Sequence, residues 1–159
     1  MPNVVSDTGP LIALAGIGQL NLLHQLFGQV FIPPAVHHEI QDETSRAAMA
    51  TANWISLHSV QDTFAVQVLR EELDPGESEA ITLARELAVD GLVIDERAAR
   101  RKAQAVGLRV IGTLGILLLA KSQGHLAELK PWLDQLRREN FRLSDALYAQ
   151  ALHDAGESS

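Results

Sequence analysis

Short apolar runs alternate with amphipathic stretches from one end of this chain to the other. Val4-Val5 leads into Ser6-Asp7-Thr8-Gly9-Pro10, the pattern of a short buried strand that turns directly into a helix opened by proline. Residues 11–15 continue that helix, Gly16 and Gly18 interrupt it, and Leu20, Leu23 and Leu26 resume helical spacing as far as Gly28. Val30-Phe31-Ile32 reads as a second buried strand, closed by Pro33 and Pro34. A short helix over 35–41 follows, in which Val36 and Ile40 form an apolar pair one turn apart. A polar helix over 44–52, a strand exposed on one face over 54–57 and a helix over 61–72 come next.

Asp74-Pro75-Gly76-Glu77 has the form of a capping box, with Asp74 at the N-cap and Glu77 three residues on. Ile81, Ala84, Leu87 and Ala88 give that helix its core-facing stripe. The pattern closes with a strand over 92–94, a basic alanine-rich helix over 97–106, a strand over 108–111, and helices over 114–122, 126–139 and 145–155. Five strands, each separated from the next by helical sequence, predict an α/β fold. Because parallel strands need crossovers, the sheet should be parallel with helices on both faces. No repeat or linker interrupts the pattern, so 1–159 reads as one domain.

Composition narrows the chemistry. The chain has no cysteine, which excludes disulfides, zinc–thiolate sites and cysteine nucleophiles. Its longest apolar run, 110–120, is shorter than the roughly 20 residues that span a bilayer, and residues 1–20 carry no Lys or Arg. A soluble, cytoplasmic protein is expected. The net charge of −7 argues against a surface that grips nucleic acid everywhere. Yet Arg97, Arg100, Arg101, Lys102 and Arg109 fall in a single segment that holds no acid. The six histidines are scattered and none is assigned a role.

The acids suggest the function. In an open α/β sheet ligands bind beyond the carboxyl ends of the strands, and both Asp7 and Asp95 stand at such ends. Each has a bland alternative: Asp7 can serve its own turn, and Asp95 can cap the helix that follows. Glu77 is explained by the capping box and Glu96 by a favourable position in a helix's first turn. Glu39, beside its apolar pair, and Glu79, two residues before Ile81, have no such explanation. Clustered carboxylates about 4 Å apart repel by about 4 kcal/mol per pair at an effective dielectric near 20, so they require protons or a cation. Oxygen ligands alone suit Mg²⁺ or Mn²⁺, ions that activate water against phosphodiesters.

Taken in order, these segments resemble a PIN-domain nuclease: Asp7 after the first strand, Glu39 in Pro-Ala-Val-His-His-Glu-Ile, Gly76-Glu77-Ser78-Glu79-Ala80-Ile81, and Ile94-Asp95-Glu96. Gly112-Thr113-Leu114-Gly115 and Phe141-Arg142-Leu143-Ser144 with Ala155-Gly156-Glu157 resemble a compact prokaryotic branch of VapC-like toxins. The resemblance covers nearly the whole chain. It implies a PIN-like fold and a divalent-metal-dependent endoribonuclease, dimeric and neutralised by an antitoxin protein, leaving 5′-phosphate and 3′-hydroxyl ends. By position it makes Asp7, Glu39, Glu79 and Asp95 the acidic quartet. Asp7, Glu79 and Asp95 would hold Mg²⁺ or Mn²⁺, and Glu39 would complete the shell or orient the nucleophile. Thr8 matches the small hydroxyl residue that follows the first acid, and Arg97, Arg100 and Arg101 would hold the RNA backbone. Glu79 stands where the family often has Asp, and Glu77 competes for that place.

Three other readings compete with this one. Asp7-Thr8-Gly9 is also the triplet of aspartic proteases, but those are built from β-structure. A phosphoacceptor or haloacid-type phosphatase needs a second carboxylate where Gly9 stands. A non-catalytic PIN-like domain that binds RNA or a protein partner is the serious alternative, and the presence of all four acids favours the enzyme.

Overall fold

The computed structural model describes residues 3–157. Five strands, β1 (Val4–Ser6), β2 (Val30–Ile32), β3 (Ile55–Leu57), β4 (Gly91–Val93) and β5 (Val110–Ile111), form one sheet in the order β3-β2-β1-β4-β5. Every pairing is parallel, with Val4 opposite Val30 on one side and opposite Gly91 on the other. The chain winds outward from β1 through β2 to β3, then returns to lay β4 against the free side of β1. The winding direction therefore reverses between β1 and β4, the place where open α/β sheets form a crevice beyond their strand ends. Asp7 and Asp95 lie just past the ends of those two strands.

Alternation along the strands divides the core. Val4 faces Leu11 and Leu14 of α1 (Thr8–Gly16), with α2 (Asn21–Phe27), α8 (Thr113–Ser122), α9 (Lys130–Arg138) and α10 (Asp145–Asp154) supplying Leu23, Ile116, Leu133 and Leu152 to the same cluster. Val5 faces the other way, toward Ala80, Ile81 and Leu83 of α6 (Pro75–Leu87) and Ala99 and Ala103 of α7 (Arg97–Ala105). Helices thus cover both faces, as predicted. The remaining helices, α3 (Pro34–Glu39), α4 (Glu43–Ala50) and α5 (Thr63–Leu69), lie in the crossovers after β2 and β3.

Local chemistry sets most boundaries. The α6 capping box forms as predicted: Asp74 accepts from the Glu77 backbone N–H at 2.7 Å, and Glu77 accepts from that of Asp74 at 3.1 Å. Ser144 caps α10 as expected, and Asp42 and Asp62 cap α4 and α5. The helix expected over 126–139 begins only at Lys130. Pro131 fits its first turn but keeps the preceding residues from extending it, and Leu126 and Leu129 are buried in an irregular segment instead. The strand expected over 108–111 starts at Val110, because the Leu108 N–H is drawn back to Ala103 O as α7 ends. Among the described residues no single helix is long and apolar enough to cross a membrane.

Candidate metal centre

Asp7 occupies the N-cap position of α1 but makes no side-chain cap bond there. Its backbone N–H continues the sheet by donating to Val93 O at 2.8 Å, which fixes the residue at the β1–β4 crevice. The residue is 6% exposed, and its Oδ1 has no hydrogen-bond partner among the described residues. Burying an unpaired charge is costly, and burial pushes the Asp7 pKa from 3.8 up to about 7. The Thr8 N–H opposes that rise in part, while the charges of Asp74, Glu77 and Glu39 add to it.

One ligand oxygen each from Asp7, Glu39 and Asp74 lies within 4.8 Å of the other two. Octahedral ligands at about 2.1 Å from a Mg²⁺ ion stand about 3 Å apart when adjacent and about 4 Å when opposite. Three convergent carboxylates, one with an orphaned buried oxygen, therefore fit a small divalent cation. Glu39 reaches the cluster from the C-terminal end of α3 and is steadied by Thr8 Oγ1, which donates to its Oε1 at 2.7 Å. Gly76 leaves it room. A Cβ there would sit 2.5 and 2.6 Å from the two Glu39 oxygens, so any side chain would displace the carboxylate. Glu77 borders the same acids, and burial followed by the charges of Asp74, Glu96 and Glu39 raises its pKa.

Asp95 lies across the α1 N-terminus from this cluster, with Oδ2 3.8 Å from where a Cβ on Gly9 would be. Capping of α7 falls to Glu96 rather than Asp95, through a long contact of 3.5 Å to the Ala98 N–H. Asp95 is instead held from the start of α8: Thr113 donates its backbone N–H to Oδ1 and its hydroxyl to Oδ2, each at 2.7 Å. Gly112 permits this approach, since a Cβ there would fall 2.7 Å from Asp95 Oδ1 and 3.0 Å from Arg100 Nη1. Arg100 is half-buried and donates to Ile94 O at 3.0 Å. Arg97 and Arg101 are exposed.

Glu79 lies outside the triad. Its Oε1 accepts from the Ala35 N–H at 3.0 Å, satisfying one of the unpaired donors in the first turn of α3. Asp74 is the acid that sequence reasoning missed, because its cap role already explained it. The available signal was Gly76, a glycine near the start of a helix, where it is a poor helix former unless a close approach requires it.

The arrangement thus combines a β1–β4 crevice, three converging acids and a fourth beside them, all at the carboxyl edge of a parallel sheet. No curated protein matches this sequence. A family model described as a PIN domain matches residues 3–157, nearly the whole chain. This chain, with its acidic crevice on a nuclease-type fold, belongs to the PIN-domain family.

Proposed function

We propose that the protein is a divalent-metal-dependent endoribonuclease. The observation that carries this reading is the buried Asp7, with one oxygen unpartnered among the described residues, whose carboxylate offers a ligand atom within 4.8 Å of one from Glu39 and one from Asp74. Asp7, Glu39 and Asp74 would hold the cation, with Mg²⁺ and Mn²⁺ best suited to all-oxygen ligands. Asp95, held through both oxygens by Thr113, would serve as an outer ligand or hold a water. When bound, the cation supplies Lewis acidity toward a phosphodiester and acidifies water. The chain's own residues do the rest. Thr8 fixes Glu39, and the capping box fixes Asp74. Glu79, placed among the ligands by the family resemblance, ties α6 to α3 in this geometry, so its role at the cation is indirect.

Of the three arginines proposed for the RNA backbone, Arg100 stands beside Asp95, while Arg97 and Arg101 face solvent further along α7. A toxin role, a homodimer, an antitoxin partner and a cytoplasmic setting rest on the resemblance of the terminal motifs to VapC-like proteins. The deciding experiment is cleavage of a labelled RNA with Mn²⁺, with EDTA, and with Asp7→Asn. We expect cleavage by the parent with Mn²⁺ alone. Cleavage that survives EDTA or Asp7→Asn refutes the proposal, and RNA binding without cleavage supports the non-catalytic alternative.

A further inference from the structure

We propose that the cavity between α4 and the edge strand β3 binds a small amphipathic carboxylate, an apolar tail bearing one anionic head, with Arg46 as the partner of the head. The inference is independent of the nuclease reading and concerns a different part of the surface. The cavity measures about 470 Å³, within the range of sites that enclose most of a small ligand. His37 and Ile40 line it on either side of Glu39 in the sequence, but none of Asp7, Glu39, Asp74 or Asp95 borders it.

The fold leaves the tail a place. β3 is the last strand on its side of the sheet and pairs only with β2, where Ile55 stands opposite Val30 and Leu57 opposite Ile32. Partners in parallel register share a face, so Ile55 and Leu57 lie on the side of the sheet that carries the larger core cluster. Ile32 and Ile40 form a buried floor there, and Met49 and Ile55 are half-buried walls. Leu57, at the rim, is 55% exposed. Water in such a hollow finds few polar partners, so an apolar group that displaces it gains affinity. The unbranched thioether of Met49 can adjust to the shape of the tail.

Charge selects the head. None of the lining residues is acidic, although the chain as a whole carries a net charge of −7, and Arg46 is the one lining group with a permanent charge. Its guanidinium is held in place: Nε donates to Ile40 O at 3.0 Å and Nη2 donates to Gln41 Oε1 at 3.2 Å. Two of its five N–H groups are thus spent, and the rest remain for a planar oxyanion. Asp42 and Glu43 stand within a turn of Arg46 on α4, yet neither forms an ion pair with it or lines the cavity. Asp42 is occupied as the cap, accepting from the Ser45 N–H at 2.9 Å. A single fixed cation beside an apolar hollow matches a monoanion with a hydrocarbon body, whereas a polyanion would meet the repulsion of the surrounding surface.

The test is calorimetry of the full chain in EDTA at pH 8 with sodium octanoate, using octanol and octylamine as the neutral and cationic heads on the same tail. Octanoate should bind at one site per chain, about ten-fold more tightly than either. Hexanoate, two methylenes shorter, should bind about ten-fold more weakly than octanoate. Arg46→Gln should lower octanoate affinity about ten-fold and leave octanol unchanged. Ala50→Phe, at an exposed position of α4 on the cavity wall, should fill the space and abolish binding of both, with urea unfolding as the check that the variants fold. The parent itself carries a second readout. The chain has two methionines, so a methyl-¹³C-methionine label, assigned with Met49→Leu, reports directly from the cavity, and the Met49 signal should shift with octanoate. Absence of octanoate binding overturns the proposal, as does equal affinity for the three heads or parental affinity in Arg46→Gln. Saturation without a shift at Met49 overturns it by placing the ligand elsewhere. It is also overturned if octanoate fails to bind and Leu57→Lys abolishes self-association in sedimentation, which would make this face an interface between copies of the chain.

Discussion

Replacing Asp7 by asparagine should make the metal-free protein more stable at neutral pH. In the folded chain Asp7 titrates at about 7, against 3.8 for an ordinary aspartate, because burial disfavours its charge. Between those values the folded state binds more protons than the unfolded one, so stability falls as pH rises. The contribution is fully present below about 3.8 and is lost once the pH passes about 7. At about 1.4 kcal/mol per pKa unit, the window amounts to about 4 kcal/mol as an upper bound. The group is only 6% exposed, so solvent screening reduces this little. Asp7→Asn is neutral throughout and removes this loss. Glu77 is shifted in the same direction but is present in both proteins, so only its coupling to the Asp7 charge enters the difference. Urea denaturation in EDTA at pH 4 and pH 8 measures the difference. The parent should lose up to about 4 kcal/mol more than the variant across that range. Mn²⁺ at about one hundred times its dissociation constant should return about 3 kcal/mol to the parent and far less to the variant. Parallel pH profiles for the two proteins would refute a buried, unpaired Asp7, and with it the reason to place a cation there.

Further outcomes follow from single contacts. Gly76→Ala should push Glu39 off Thr8 and weaken Mn²⁺ binding at least about ten-fold in calorimetry, with loss of stability below about 1 kcal/mol, since alanine is the better helix former. Thr113→Val deletes the hydroxyl bond to Asp95 while keeping a branched side chain. It should cost about 1 kcal/mol in thermal or urea unfolding and reduce RNA cleavage more than RNA affinity. Glu79→Gln should retain the bond from Ala35 and most cleavage activity, whereas Glu79→Ala should lose about 1 kcal/mol of stability; inactivity of a stable Glu79→Gln would return Glu79 to the ligand set. Asp74→Asn preserves an N-cap acceptor, so stability should hold while Mn²⁺ affinity drops, and an unchanged affinity would remove Asp74 from the site.

Features written into neighbouring residues were legible in the sequence. Val4-Val5 and Val30-Phe31-Ile32 are bounded by turn residues and form buried strands, and the Asp74–Glu77 box spans one helical turn. Contacts between distant residues were not legible. The Asp95–Thr113 pair joins the end of β4 to the start of α8, and the Glu79–Ala35 bond joins two helices from different crossovers. Each partner alone has an ordinary explanation. For the same reason Asp74 looked complete as a cap: nothing in its own segment says that Gly76 leaves room for Glu39 to arrive beside it. The parallel sheet predicted from the alternation of elements put Asp7 and Asp95 at strand ends on one edge, but that β1 and β4 are neighbours is a long-range pairing that only the structure reveals.

The energetics of the crevice explain how its acids can coexist in a folded chain and why they call for a proton or a cation. Asp7, Asp74 and Asp95 each stand at the start of a helix, α1, α6 and α8, where the dipole favours negative charge. Each such placement is worth about 0.3–1 kcal/mol, rising to about 2 in partly buried geometries. Repulsion between carboxylates about 4 Å apart reaches about 4 kcal/mol per pair at an effective dielectric near 20. Glu39, at the C-terminal end of α3, gains nothing from its helix and depends on Thr8. Helix ends therefore soften the clash without cancelling it. What remains falls on the most buried oxygen, Asp7 Oδ1, which must carry a proton or face a cation. Proton and cation would compete for the Asp7 carboxylate, so metal affinity should rise as pH climbs through about 7, over the same interval in which the metal-free crevice becomes least stable.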